Sequence, residues 1–141
     1  MLRYLVALDG SPRAEMVLRM ASALASKQGA ELTLFRAVAL PTELPPGALV
    51  QAPDRLAQDL EQNARVALET LAAKLGVRAS IQVVIGQPWH AICEAAQGFD
   101  MVIIGSHGYG AWDRLLGTTA AKVVDHVNCS ILVVKPTASE R

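Results

Sequence analysis

Residues 4–12 read Tyr4-Leu5-Val6-Ala7-Leu8-Asp9-Gly10-Ser11-Pro12, an unbroken apolar run followed by four residues that terminate strands. A half-exposed strand alternates apolar and polar side chains. A continuous run instead describes a strand covered on both faces, as in a parallel sheet. Ser11 then offers an N-cap, and Pro12 stands at the first helical position, where its missing N–H costs nothing. Ala14, Val17, Leu18, Ala21, Leu24 and Ala25 follow at helical spacing, and Gly29 supplies the stop. The opening segment is a strand–helix unit.

The same unit recurs along the chain. Residues 32–38 predict a second strand, and residues 39–53 a long connection rich in proline, of the length that marks a mobile or functional loop. Residues 54–75 predict a helix with Leu56, Leu60, Ala64, Ala67, Leu71 and Leu75 on one face, ended by Gly76. In residues 77–85, Ala79, Ile81 and Val83 alternate with Arg78, Ser80 and Gln82, the pattern of a sheet edge or half-exposed face. Gly86-Gln87-Pro88 opens a short helix that places Trp89, Ile92 and Ala96 on one face, and Gly98 closes it. Residues 100–104 are the most uniformly apolar strand and belong near the sheet centre. After a glycine-punctuated connection, residues 118–127 predict a helix with Ala120, Val123, Val124 and Val127 inward, and residues 129–134 a fifth strand. The expectation is an α/β fold in one domain spanning residues 1–141. It has an open five-stranded parallel sheet, order 3-2-1-4-5, with helices on both faces. Ligands of such sheets bind at the carboxyl ends of the strands.

Composition narrows the function. The 141 residues are 52% hydrophobic and 18% charged, enough for a real core. Thirteen basic residues balance thirteen acidic ones, and neither half carries the basic surplus of a nucleic-acid footprint. Apolar runs such as Met101-Val102-Ile103-Ile104 fall well short of the roughly 18 residues of a membrane span. Asp9 interrupts the N-terminal run before a signal-peptide core can form. Cys93 and Cys129 are far apart and lack metal-ligand spacing. Together these features predict a cytoplasmic protein.

Polar residues gather where this architecture binds ligands. Asp9-Gly10-Ser11 follows the first strand, Gly105-Ser106-His107-Gly108 the fourth, and Gly117-Thr118-Thr119 starts the last helix. Gly105 and Gly108 allow close backbone approach and positive φ, so that successive N–H groups can form an anion nest. Gly117-Thr118-Thr119 offers free amides and hydroxyls at a helix N-terminus, a ready phosphate site. A carboxylate at Asp9 accepts hydrogen bonds from ribose hydroxyls or an exocyclic amine. Each piece alone is also an ordinary turn or cap; their convergence on one crevice points to a nucleotide.

Along nearly its whole length the chain resembles the universal stress proteins. The resemblance rests on Leu5-Val6-Ala7-Leu8-Asp9-Gly10-Ser11, Leu32-Thr33-Leu34, Gly86-Gln87-Pro88, Gly105-Ser106-His107-Gly108, Gly117-Thr118 and Cys129-Ser130-Ile131-Leu132-Val133-Val134. It implies a Rossmann-like fold of the adenine nucleotide alpha hydrolase type, and binding of ATP or another adenine nucleotide with Mg2+ or Mn2+. By the same resemblance Asp9 contacts the nucleoside and the Ala37 backbone meets adenine. Gly105, His107 and Gly108 form the ribose-phosphate loop, Gly117, Thr118 and Thr119 the phosphate-binding helix start, and Ala7 and Ile104 complete the set. The family's ATP-binding branch carries G-x2-G-x9-G-[S/T]. Here residues 109–116 separate Gly108 from Gly117, one residue fewer. The resemblance also implies a homodimer through the strand Ile131-Leu132-Val133-Val134, an edge that would otherwise invite aggregation. The protein partner is unknown.

Catalytic readings fare worse. No HExxH, G-x-S-x-G or Walker A pattern is present. Strand one ends in a single Asp9 and strand three in Val84-Ile85-Gly86, so the carboxylates of a response-regulator receiver are missing. His90 is expected on an exposed helical face and His126 near a helix C-terminus; His107 either touches the nucleotide or braces its loop. Cys93 and Cys129 read as small buried hydrophobes, Trp89 as core, and Trp112 as a lid or packing anchor. Arg114 and Lys122 are candidates to approach phosphates, yet no dedicated base accompanies them, so any ATP hydrolysis would be slow. The leading expectation is a nucleotide-binding regulatory protein. A dimeric interaction module without nucleotide is the alternative, and a slow ATPase or phosphate-transferring enzyme the weaker one.

Overall fold

The structure, a computed structural model, describes residues 1–40, 53–108 and 115–136. The strands are β1 (Arg3–Ala7), β2 (Glu31–Val38), β3 (Ser80–Ile85), β4 (Met101–Gly105) and β5 (Ser130–Val134). Between them run the helices α1 (Ala14–Gln28), α2 (Pro53–Leu75), α3 (Pro88–Ala95) and α4 (Thr118–His126). All neighbouring strands pair in parallel, in the order β3-β2-β1-β4-β5. The centre is β1, where Leu5 stands opposite Thr33 on one side and Val102 on the other.

The unbroken apolar run of β1 has its reason in two cores. Tyr4, Val6 and Leu8 enter one with Val17, Leu18 and Ala21 of α1 and Ala64, Leu68 and Ala72 of α2. Leu5 and Ala7 enter the other with Phe35, Val102, Ile92 of α3, and Ala120 and Val123 of α4. Leu5, Val6 and Val102 are completely buried. Each such aliphatic side chain contributes about 1.5–3 kcal/mol by leaving water.

Several expected boundaries move. The regular helix α1 begins at Ala14 rather than Pro12 because residues 9–14 first form a turn. The Asp9 Oδ1 accepts the Ser11 N–H at 2.9 Å, and Ser11 Oγ accepts the Arg13 N–H at 3.3 Å. Ser11 thus caps as expected, but ahead of the ladder. Strand β3 begins at Ser80 rather than Val77, because Val77 is spent closing α2: its N–H donates to the Ala72 carbonyl at 2.9 Å, with Gly76 at φ +66°. The inward faces of two helices are also corrected. Ala67 is exposed while its neighbour Leu68 is buried, and Val124 of α4 is 40% exposed. The expected features of the connection 39–53 lie largely outside the described residues.

Candidate functional site

A cavity of about 570 Å³ opens at the carboxyl ends of β1, β2 and β4. Its floor is apolar: Ala7, Phe35, Ala37 and Ile104 from the strands, with Pro88 and Ile92 of α3 as a wall. Its opposite side is polar, built from Asp9, Ser11 and Arg13 after β1, the loop 105–108 after β4, and Gly117, Thr118 and Thr119 at the start of α4. All ten residues singled out in the sequence line this one cavity: Ala7, Asp9, Ala37, Ile104, Gly105, His107, Gly108, Gly117, Thr118 and Thr119.

The polar side is held by backbone bonds converging on Ser106, which is 1% exposed. Its N–H donates to the Val134 carbonyl at 2.9 Å, and its carbonyl accepts the Gly117 N–H at 2.7 Å. The loop after β4 and the start of α4 are thereby locked together; residues 109–114 lie outside the described residues. His107 is buried, and its Nδ1 lies 3.0 Å from Ser106 Oγ. His107 therefore braces its loop, one of the two sequence alternatives, and also lines the cavity. Helix α4 starts its own ladder with the Ala121 N–H on the Gly117 carbonyl at 2.9 Å. The amides of Thr118, Thr119 and Ala120 have no acceptor within the helix, and they head its positive dipole end.

Glycine serves here for a different reason than expected. Among the described residues positive φ occurs only at Gly29, Gly76 and Gly98, so Gly105 and Gly108 need no left-handed backbone. They are required for room. A Cβ on Gly108 would lie 2.1 Å from Asp9 Oδ2, one on Gly105 3.0 Å from Val17 Cγ2, and one on Gly117 3.2 Å from the Ser106 carbonyl oxygen. The expected positive-φ nest is therefore absent from this loop, and the free amides at this end of the cavity are those at the start of α4.

Arg13 escaped the sequence reading. It lines the cavity, and its Nη1 donates to the Gly108 carbonyl across the mouth. Phe35 and Ile92 were missed as well; both are core residues by sequence pattern, and they line the cavity only once the strand ends and α3 are assembled. Lys122, expected near phosphates, instead sits outside the cavity with its Nζ 5.2 Å from the centre of the Trp89 ring. Trp89 is half-buried and packs on the exposed His126 at 4.8 Å. The His126 Nδ1 donates to the Lys122 carbonyl at 2.8 Å, and the exposed His90 lies 3.6 Å from Glu94. Trp112 and Arg114 fall outside the described residues. Cys93 and Cys129 are half-buried free thiols rather than fully buried ones, and burial pushes both up from the ordinary thiol range. Among the described residues no helix is long and apolar enough to cross a membrane.

Comparison with known proteins agrees with this fold. The solved hypothetical protein MJ0577 superposes with a TM-score of 0.79 at 26% identity, covering 96% of each chain. A universal stress protein in complex with cAMP gives 0.70 at 20% identity, covering 94% of this chain and 96% of its own. The universal stress protein from Archaeoglobus fulgidus in complex with dAMP gives 0.63 at 19% identity, covering 96% and 98%. In sequence, universal stress protein YxiE of Bacillus subtilis is 30% identical over 145 residues, which is 94% of this chain and 98% of the relative. The model of the universal stress protein family matches residues 1–135, and the chain belongs to that family.

Proposed function

We propose that this protein is a cytoplasmic regulatory protein of the universal stress type that binds ATP or another adenine nucleotide. The observation that carries the reading is the two-sided cavity. An apolar slot between Phe35, Ala37, Pro88 and Ile92 suits a flat base, and the amides of α4 beside Gly108 suit phosphates. Asp9 lines the same cavity beside Gly108, and its carboxylate suits the hydroxyls of a ribose. Relatives solved with cAMP and dAMP support an adenine ligand for this fold. The bond from Gly117 to Ser106 supports phosphate binding in spite of the shorter spacer, since it sets α4 against the loop directly.

Among the described residues no group of three or more His, Cys, Asp or Glu is placed to hold a metal. In this reading the Mg2+ or Mn2+ is carried by the phosphate oxygens of the nucleotide, and the Thr118 and Thr119 hydroxyls are neutral oxygen donors lining the same cavity. The single domain dimerises through the outer edge of β5, and ligand occupancy is the signal that a partner reads.

Calorimetric titration with Mg-ATP tests this, after confirming that no nucleotide co-purifies. Micromolar binding that is weakened in an Asp9→Ala variant is the expected result. Absence of heat at millimolar ATP would leave the shortened spacer as the deciding feature and favour the dimeric interaction module.

A further inference from the structure

An open sheet has two edges, and here they are β5 and β3. The ladder shows which groups of β3 face outward. The Gly86 N–H donates to the Val38 carbonyl at 3.0 Å, so residue 86 turns its backbone toward β2. In a parallel pair every second residue bonds to the neighbouring strand, and the residues between turn the other way. Val84, Gln82 and Ser80 therefore bond toward β2, while Ile81, Val83 and Ile85 direct N–H and C=O away from the sheet. Among the described residues no strand pairs with that side.

Left bare, this segment would invite pairing. Residues 80–85 include the β-branched Ile81, Val83, Val84 and Ile85 and contain no charge, proline or glycine. Six-residue segments of that kind pair readily with copies of themselves, and single edges usually carry a charge, a proline or a bulge against it. Strand β3 has none of these of its own, since its register against β2 runs unbroken from Ser80 to Ile85.

The charge comes from α2 instead. Ala64 and Leu68 of that helix enter the core, and Arg65 beside them is half-buried. Its Nη1 donates to the Ile81 carbonyl at 3.4 Å, and its Nη2 lies 4.0 Å from Glu61 Oε1, one turn earlier on the same helix. Neither contact is close, and a surface pair of this kind adds little to stability. The consequence is positional. A guanidinium covers the first outward acceptor of β3, and an incoming strand would have to displace it or bury a cation beside the new ladder, out of water.

We infer that Arg65 closes the β3 edge to pairing with a second copy of this chain. With β3 closed, association along sheet edges is confined to β5 and ends at two copies. With both edges open, sheets would add to one another without limit. The inference concerns β3 alone and does not depend on the nucleotide reading.

The test compares wild type, Arg65→Ala, Arg65→Lys and the double variant Arg65→Ala with Gln82→Lys. The readouts are light scattering behind size exclusion and deuterium exchange on the peptide spanning residues 80–86. Alanine preserves the helix, and Gln82 is exposed, so a lysine there charges the edge without entering the core. Arg65→Ala should grow with concentration to about twice the wild-type mass or beyond. Its amides at Val83 and Ile85 should then exchange more slowly than in the wild type. Arg65→Lys, which keeps a cation, should hold the wild-type mass, and Gln82→Lys should return the alanine variant to it. An Arg65→Ala protein of wild-type mass at all concentrations would overturn the inference. So would growth that leaves exchange at residues 80–86 unchanged or that survives Gln82→Lys, because the new contact would then lie elsewhere.

Discussion

Gly108 and Gly29 separate two uses of glycine that look alike in sequence. Gly29 has φ +65° and nothing within 4 Å of a built Cβ, so it serves backbone conformation alone. Gly108 has an ordinary φ, and its added Cβ would meet the Asp9 carboxylate at 2.1 Å. In Gly108→Ala the Asp9 side chain must rotate away from the cavity and release the Ser11 N–H. Nucleotide affinity should then fall by about tenfold or more, as expected when a charged hydrogen-bonding group is misplaced. Gly29→Ala should do the reverse: it forces a side chain into the left-handed region, costs about 1–2 kcal/mol of stability, and leaves affinity intact. Urea unfolding and calorimetry on both variants read the two quantities separately. A Gly108→Ala protein that binds like wild type would show that Asp9 does not need its observed position. The sequence made both glycines visible but not their roles, because proximity to Asp9 across the strand ends is a tertiary fact.

At the scale of elements, what was legible followed from periodicity and what was not followed from end chemistry. The double apolar face of β1 and β4, the alternation in β3 and the helical spacing of α1 led to the strand order and the placement of the cavity. The start of α1 was misread because Ser11-Pro12 satisfies every rule for a helix N-terminus, yet the Asp9 side chain draws the Ser11 amide into a tight turn first. The start of β3 was misread because apolar Val77 looks like strand although its amide closes α2. Arg13 carried a signal, a cation at a helix start, but the reason for it lies on the loop after β4.

The pairing of α1 with α2 was likewise invisible, since Glu15 and Lys74 come from distant helices. The Lys74 ammonium, hydrogen-bonded to Glu15, holds that carboxyl below its ordinary value, with Arg19 adding to the effect. A depressed folded value means that the pair stabilises the protein above the unfolded carboxylate range of about 4.3 and that this contribution is lost as pH falls through the folded value. The pair is solvent-exposed, so the effect is small. Glu15→Gln should melt slightly below wild type at pH 7, and the gap should close on acidification toward pH 3. A gap that persists at pH 3 would assign the difference to something other than this ion pair.

For the molecule as a whole, the outer edge of β5 is the feature that a lone copy leaves unresolved. Among the described residues it pairs with β4 on one side only, which leaves its remaining backbone N–H and C=O groups without a strand partner there, beside the half-buried Ile131, Leu132 and Val133. No charged residue lies within β5, and natural edges that stay single are usually blunted by charge, proline or a bulge. A second copy laid along this edge would satisfy the backbone groups and cover the side chains together. Light scattering behind size exclusion should therefore give twice the chain mass, and melting should be a single transition whose midpoint rises with protein concentration, as coupled folding and association require. Val133→Lys places a charge at the edge and should shift the protein to monomer. Val124→Lys, on the 40% exposed flank of α4, should leave the dimer intact and control for the cost of a new lysine. A wild type of single-chain mass at all concentrations, or a dimer indifferent to Val133→Lys, would remove β5 as the interface. Because Ser106 donates its N–H to the Val134 carbonyl, the strand that would be buried in the dimer also anchors the loop that lines the cavity. Loss of the dimer should therefore weaken nucleotide binding as well, and the Val133→Lys monomer is the sample on which to measure it.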